Sequence, residues 1–210
     1  MRVVIFGATG RTGRLLVEGG LARGHDVTAF VRSPEGLRDL RDRVRVIQGD
    51  VLDGGAVSDA VDGRQAALVA LAARGGKAES QINALGTLNV IRSMQRYGAR
   101  RLIVLSSSRT YPGHDPNVSW FAERLVKPLF MRSTLADLRR AEVNVRQSEL
   151  DWTLVRAARL TDDPATGRYR VGPGFSLPGG TRIGRADVAA FMLDQLESTG
   201  DIAHAVAIAD

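Results

Sequence analysis

Short apolar segments alternate along this chain with longer segments in which apolar residues recur at helical spacing. The apolar segments are rich in Val, Ile, Leu and Ala and predict buried strands at residues 3–6, 27–31, 44–47, 66–72, 101–105, 152–156, 169–171 and 206–208. Helices are predicted at 53–61, 80–96, 130–148 and 185–196, and one more directly after the first strand. This alternation predicts the α/β class, a doubly wound, mostly parallel sheet with helices on both faces.

Single residues mark the ends of several predicted helices. Gly24 and Gly98 are expected to follow helix ends, because glycine adopts the left-handed conformation readily. Asp53 is expected to cap the N-terminus of a helix with its carboxylate. The helix at 80–96 is expected to carry an apolar face formed by Ile82, Leu85, Leu88, Ile91 and Met94.

The first strand runs into a glycine-rich turn, Gly7-Ala8-Thr9-Gly10-Arg11-Thr12-Gly13. Glycines here permit a tight turn and let the backbone approach a pyrophosphate, while the N-terminus of the next helix favours the anion. Glycine spacing alone also occurs in ordinary turns, but a strand, a helix and a second strand surround this one within about 30 residues. The segment therefore predicts a Rossmann-type unit that binds a dinucleotide.

Arg32, at the end of the second strand, indicates which dinucleotide is bound. NAD-dependent enzymes usually place Asp or Glu near this position for the ribose 2′-hydroxyl, whereas a cation suits the 2′-phosphate of NADP. The alternative is a solvated arginine in an arginine-rich chain. Asp50 and Val51 follow the third strand and are expected near the adenine. We predict NADP(H) in preference to NAD(H).

Composition narrows the possible classes of protein. The 210 residues are 44% hydrophobic and contain no internal repeat or linker, so we expect one domain over residues 1–210. Without cysteine, disulfides, thiolate metal sites and thiol nucleophiles are excluded, and the three histidines lack metal-ligand spacing, so no metal is expected. Neither a signal peptide nor a membrane-length apolar run is visible, which predicts a cytoplasmic protein without a membrane partner.

The net charge of +6 raises nucleic acid as a partner. However, 27 of the 29 cationic residues are arginines, and they are scattered and interleaved with Asp and Glu. We interpret them as a solvated surface and expect no nucleic-acid partner. The positive field still attracts anionic cofactors and substrates.

Several stretches together resemble one branch of dinucleotide-binding proteins: IFGATGRTG (5–13), VIQGDVLD (46–53), INALGTLNVI (82–91), LDWTLVR (150–156), TDDPATGRYRV (161–171) and RADVAAFML (185–193). Over nearly its whole length the chain resembles an atypical short-chain dehydrogenase/reductase, most closely the biliverdin-IXβ reductase/flavin reductase group and the NmrA-like proteins. This resemblance implies a single Rossmann-type domain with segments near 106–130 and 157–184 on the acceptor side.

The same resemblance implies a cofactor-binding role for a set of residues. It places the pyrophosphate at Gly7, Thr9, Gly10, Arg11, Thr12 and Gly13. It places the 2′-phosphate and adenine at Arg32, Ser33, Asp50 and Val51. It places the adenosine and ribose side at Leu71, Ala72, Ala73 and Arg74, and the nicotinamide at Ser107, Ala157 and Leu160.

The chain lacks the Tyr-x-x-x-Lys pair with which ordinary short-chain dehydrogenases take a proton from an alcohol or give one to a ketone. The fourth residues after its three tyrosines are Arg101, Asp115 and Pro173. Hydride transfer to a conjugated ring asks less of the protein, which mainly aligns the donor and acceptor rings. We therefore predict an NADPH-dependent reductase of a flavin, quinone or similar conjugated acceptor. The alternative is an NmrA-like redox sensor that binds NADP(H) without turnover.

Ser107 is the candidate catalytic residue, expected to orient the nicotinamide or the acceptor. Its alternative role is to satisfy loop N–H groups after a strand. An aromatic wall for the acceptor, from Tyr111, Trp120 and Phe121, competes with ordinary packing, and Arg109 and Arg159 either meet acceptor anions or are simply exposed. We expect a monomer, with a homodimer left open.

Overall fold

The computed structural model describes residues 1–72, 81–111, 117 and 132–210, which form ten strands and five α-helices. The strands are β1 (Arg2–Phe6), β2 (Asp26–Val31), β3 (Arg45–Gln48), β4 (Ala66–Val69), β5 (Arg101–Ser107), β6 (Asp151–Ala157), β7 (Arg159–Thr161), β8 (Arg170–Pro173), β9 (Arg182–Gly184) and β10 (His204–Ala209). The helices are α1 (Arg11–Ala22), α2 (Gly54–Val61), α3 (Ile82–Tyr97), α4 (Arg132–Arg146) and α5 (Arg185–Asp194), with 3₁₀ turns at Pro34–Leu40 and Ser108–Thr110. Within these ranges no helix is both long and apolar enough to cross a membrane.

Eight strands form one sheet in the order β3-β2-β1-β4-β5-β6-β10-β8. All neighbouring strands are parallel except β8, which runs antiparallel to β10 at the edge. The strand order reverses between β1 and β4, and ligands of such sheets bind beyond the strand ends at this switch point. β7 and β9 form a separate two-stranded parallel sheet. In the sequence, β7 follows β6 and β9 directly precedes α5. The predicted fold class is confirmed.

Alternate residues of β1 belong to two different hydrophobic cores, one on each face of the sheet, because successive side chains of a strand point to opposite faces. Val3 and Ile5 belong to the core that includes Leu16 of α1 and Met192 of α5. Val4 and Phe6 belong to the core on the other face, which α2, α3 and α4 cover with Val57, Val90, Met94 and Val145. The sheet is thus buried on both faces, and its strands contain continuous apolar runs for that reason.

The predicted helix ends are confirmed in detail. Gly24 and Gly98 have φ angles of +74° and +73°, and the Asp53 carboxylate accepts the N–H groups of Gly55 and Ala56. Leu85, expected on the apolar face of α3, is instead 44% exposed. β4 ends at Val69, before the predicted end at residue 72. α5 begins at Arg185, as predicted. The three-residue strands β7 and β9 were not predicted, since so short a segment carries no periodicity.

Candidate functional site

The turn between β1 and α1 leaves no room for side chains at two positions. Gly7 has φ +80°, and a Cβ atom there would lie 2.3 Å from the carbonyl oxygen of Ala70. A Cβ atom at Gly13 would lie 2.0 Å from the carbonyl oxygen of Gly7, which also accepts the Gly10 N–H at 2.9 Å. Only glycine fits these positions, because backbone occupies the space on both sides.

The N-terminus of α1 has no capping side chain. Gly10 occupies the cap position, and the first turn contains no acidic residue. The N–H groups of a first helical turn have no partner within the helix and carry the positive end of its dipole. The glycine turn and this helix end together form a backbone cradle that suits an anionic group such as a pyrophosphate.

A first groove extends from this cradle along the carboxyl ends of β1 and β2. It is lined by Gly7, Thr9, Phe30, Val31, Arg32, Gly49, Val51, Leu71 and Ile82. A Cβ atom at Gly49 would lie 2.8 Å from the Phe30 ring, so glycine keeps the groove open there. Arg32 is exposed at the end of β2, and Ser33 follows it into the 3₁₀ turn. The Asp50 carboxylate accepts the N–H of Leu52 at 2.9 Å and so turns toward its own loop.

A second groove shares Leu71 with the first and leads across the ends of β4 and β5. Of the residues predicted to bind the cofactor it contains Gly10, Arg11, Thr12, Leu71, Ala72, Ser107 and Leu160. A third groove continues from it and is lined by Ser106, Ser107, Arg109, Ala157, Ala158, Arg159, Leu160 and Arg185. The structure thus brings most of the predicted residues into one continuous surface. Ala73, Arg74, Trp120 and Phe121 lie outside the described residues.

Ser107 lies at the end of β5, opposite Ala157 of β6, where the second and third grooves meet. Its Oγ accepts the N–H of Arg109 at 3.2 Å, which is the turn-capping contact of the alternative interpretation. That contact uses only a lone pair of the oxygen, so the hydroxyl hydrogen is still able to donate to a ligand. Both roles of Ser107 are therefore compatible with this geometry.

Two aspartates hold the segment after β7 against the glycine turn and α5. The exposed Asp162 carboxylate binds Arg11 through Oδ2 and Arg185 through Oδ1, each at 2.6 Å. The buried Asp187 carboxylate accepts the backbone N–H groups of Thr166 and Gly167, at 3.0 and 2.9 Å. No local pattern in the sequence indicated these contacts for either aspartate. Arg11, expected at the pyrophosphate, is ion-paired at the rim of the second groove.

Glu142 of α4 and Arg156 of β6 form a buried ion pair behind Ser106. The Glu142 Oε1 atom accepts hydrogen bonds from Ser106 Oγ at 2.7 Å and Thr110 Oγ1 at 2.9 Å, while Oε2 accepts Arg156 Nη2 at 2.5 Å. Arg156 Nη1 also donates to the carbonyl oxygen of Gly174 at 2.8 Å, and its guanidinium lies 3.6 Å from the Phe175 ring centroid. The pair thereby connects β5, β6, α4 and the segment after β8.

Burial alone raises the pKa of the Glu142 carboxyl, but hydrogen bonds from Arg156 and Ser106 outweigh it and hold this pKa below its ordinary value. Sequence reasoning missed the pair, although one signal was present. Arg156 interrupts the apolar run of β6, and a charged residue in a buried strand requires a buried partner. Tyr111, considered for an aromatic wall, packs against the Phe175 ring at 4.8 Å between centroids.

Comparison with known proteins agrees with this geometry. The family model described as NAD(P)H-binding matches residues 7–199. The chain is 30% identical over 223 residues to an uncharacterized chloroplastic protein of Arabidopsis thaliana, covering all of this chain and 78% of that protein. A putative NAD-dependent epimerase/dehydratase from Bacillus halodurans superposes with a TM-score of 0.84 at 27% identity, covering 100% of this chain and 94% of that one. The anaerobilin reductase ChuY from Escherichia coli O157:H7 superposes with a TM-score of 0.80 at 24% identity, covering 100% and 97%.

Proposed function

Because this chain belongs to the NAD(P)H-binding family, we propose that it is an NADPH-dependent reductase of a flavin, quinone or similar conjugated acceptor. The observation that supports this most is the continuous surface from the glycine turn to the third groove. One end of it suits the phosphates of a dinucleotide, and the other end leaves space beside Ser107 for a second molecule. A reductase needs both sites side by side.

We assign the cofactor to the first two grooves. The backbone cradle of Gly7, Gly10 and Gly13 would hold the pyrophosphate, with Thr9, Arg11 and Thr12 beside it. Phe30, Val51 and Leu71 would enclose the adenine. We propose the remaining contacts for Ser33 and Asp50 beside the first groove, for Ala72 and Leu160 in the second, and for Ala157, which lines the third groove opposite Ser107.

Arg32 would carry the preference for NADP(H). It lines the first groove and is exposed at the strand end, so its guanidinium is within reach of a 2′-phosphate. Charge-assisted hydrogen bonds to phosphate are stronger than neutral ones, so the phosphate would be favoured over a bare hydroxyl. Among the described residues that line the first groove, none has an acidic side chain to bind a ribose 2′-hydroxyl instead.

The bound nicotinamide supplies a hydride when it is reduced. The chain's own contribution is to align the two rings: Ser107 donates from its hydroxyl hydrogen, and the small side chains of Ala157 and Ala158 leave room for a flat acceptor. Since the sequence has no Tyr-x-x-x-Lys pair, an acceptor that is already electrophilic fits better than a simple ketone. Under this proposal the partner is a small molecule, the assembly a monomer and the compartment the cytoplasm.

The test is oxidation of NADPH by the purified protein, followed by its absorbance, with FMN, FAD, a quinone, biliverdin and a dye as acceptors. NADH is assayed in parallel, and the Ser107→Ala variant shows whether the hydroxyl contributes. Turnover with flat acceptors and a preference for NADPH would support the proposal. Cofactor binding by calorimetry without turnover on any acceptor would contradict it and favour the sensor that we considered as the alternative.

A further inference from the structure

We propose that the acceptor carries an anionic group, a phosphate or a carboxylate, and that Arg159 binds this group at the mouth of the third groove with Arg185 beside it. The inference rests on the proposed function and specifies the chemical class of its acceptor. It selects among the proposed acceptors, since riboflavin and simple quinones lack such a group and FMN has one.

Two short strands bring these arginines to the same groove. Arg159 is the first residue of β7, directly after β6, and its N–H donates to the carbonyl oxygen of Thr181 at 3.3 Å. β7 pairs in parallel with β9, and Arg185 follows β9 as the first residue of α5. Both side chains therefore line the groove that also contains Ser107.

Among the described residues, the charged side chains that line this groove are all cationic. They are Arg109, which already has a partner, together with Arg159 and Arg185. The Asp162 carboxylate is shared between Arg185 and Arg11, so one negative charge is paired with two guanidinium groups. Asp163 accepts the hydroxyl of Thr161. Throughout the part of the chain that the structure describes, no carboxylate pairs with Arg159, and its side chain is exposed.

The rest of the third groove limits what kind of molecule carries the anion. Ala157, Ala158 and Leu160 form its apolar part, which suits a flat ring rather than a free inorganic ion. The cofactor phosphates are assigned to the glycine turn and to Arg32, at the other end of the continuous surface. The charge of Arg159 is therefore left for the second molecule, with its ring toward Ser107 and its anionic tail toward Arg159.

The experiment measures binding of FMN and riboflavin to protein saturated with NADP⁺, by quenching of flavin fluorescence. These ligands share one ring system and differ in the phosphate. Biliverdin and its dimethyl ester form a second matched pair that differs in carboxylates and is followed by absorbance. Arg159→Gln removes the charge, and Arg168→Gln is the control, because Arg168 is an exposed arginine of the same segment that does not line the groove.

We expect the anionic member of at least one pair to bind about tenfold more tightly, the size of one charge-assisted hydrogen bond. The pair that discriminates identifies phosphate or carboxylate as the group. Arg159→Gln should abolish the difference while leaving the uncharged ligand unaffected, and Arg168→Gln should preserve it. Equal binding within both pairs, or a preference that survives Arg159→Gln, would overturn the inference. Failure of all four ligands to bind, together with the absence of NADPH oxidation on every acceptor of the panel above, would instead refute the proposed function.

Discussion

The Glu142→Gln substitution tests how much the buried ion pair behind Ser106 contributes to the free energy of unfolding. Glutamine keeps the size of the side chain and one acceptor oxygen, but it removes the charge and places an NH₂ group near the donors of Arg156. Arg156 would then be a buried cation supported only by the Gly174 carbonyl, the Phe175 ring and one amide oxygen. The fold around it offers no other carboxylate at hydrogen-bond distance among the described residues.

The expected loss in the free energy of unfolding is about 3–5 kcal/mol, the range for breaking one side of a buried pair. Solvent screening does not reduce this value much, because the side chains of Arg156 and Glu142 are only 2% and 7% exposed. A loss of that size is a large part of the 5 to 15 kcal/mol or so by which a domain is stable. Removing both charges should cost less, because no uncompensated charge then remains.

The assay is urea unfolding of the wild type, Glu142→Met, Arg156→Met and the double variant, together with Glu142→Gln. Asp194→Asn, which breaks the exposed pair with Arg23, is the control and should change stability by no more than about 1 kcal/mol. Because the folded pKa of Glu142 is lowered, its contribution is fully present above the ordinary glutamate pKa. The contribution is then lost as the pH falls through the folded pKa, so the difference between wild type and Glu142→Gln should shrink on acidification.

Two results would refute this reasoning. One is a Glu142→Gln variant that unfolds within about 1 kcal/mol of the wild type, the size of an exposed pair. The other is additivity in the cycle, with the double variant losing the sum of the two single losses. Either would mean that Glu142 and Arg156 are not coupled in the folded protein.

Three further predictions follow from the site. Arg32→Ala should raise the Kd for NADPH at least about tenfold by calorimetry and leave the Kd for NADH nearly unchanged; equal losses would contradict the 2′-phosphate role. Gly13→Ala should abolish cofactor binding, since its Cβ atom would overlap the Gly7 carbonyl, whereas the control Gly54→Ala, whose Cβ atom has 3.7 Å to its nearest neighbour, should bind normally. Asp187→Asn should cost about 1–3 kcal/mol in urea unfolding, because a buried acceptor of backbone N–H groups becomes partly a donor; unchanged stability would show that those bonds are dispensable.

Several features of the N-terminal half of the fold were predictable because their determinants are local. The turn requires glycine at positions 7 and 13 for reasons that act within one strand, one turn and one helix. Asp53 caps α2 through bonds to residues two and three positions away, and Gly24 and Gly98 need only their own φ angles. Such features appear in the sequence as spacing, so the glycine turn and these helix ends were predictable without coordinates.

The second half of the fold depends on contacts that no local pattern shows. Glu142 of α4 and Arg156 lie 14 residues apart and are joined by hydrogen bonds between this helix and the strand that follows it. Asp187 reaches back about 20 residues to the N–H groups of Thr166 and Gly167, although RADVA resembles an ordinary helix start. No periodicity reveals such pairs, and the single local sign was a charged residue inside the apolar run of β6.

This division explains why the cofactor was easier to infer than the acceptor. A dinucleotide presents the same pyrophosphate to every protein that binds it, and a backbone turn coded by a few glycines recognises that group. An acceptor differs from enzyme to enzyme, and the site that we propose for it is built from the side chains of β5, β6, β7 and α5, which the sheet order brings together. Arg159 and Arg185 lie 26 positions apart and become neighbours of one groove only through the β7–β9 pairing. The chemistry of the acceptor is therefore carried by tertiary structure, and the charge of that groove is the most direct guide to it.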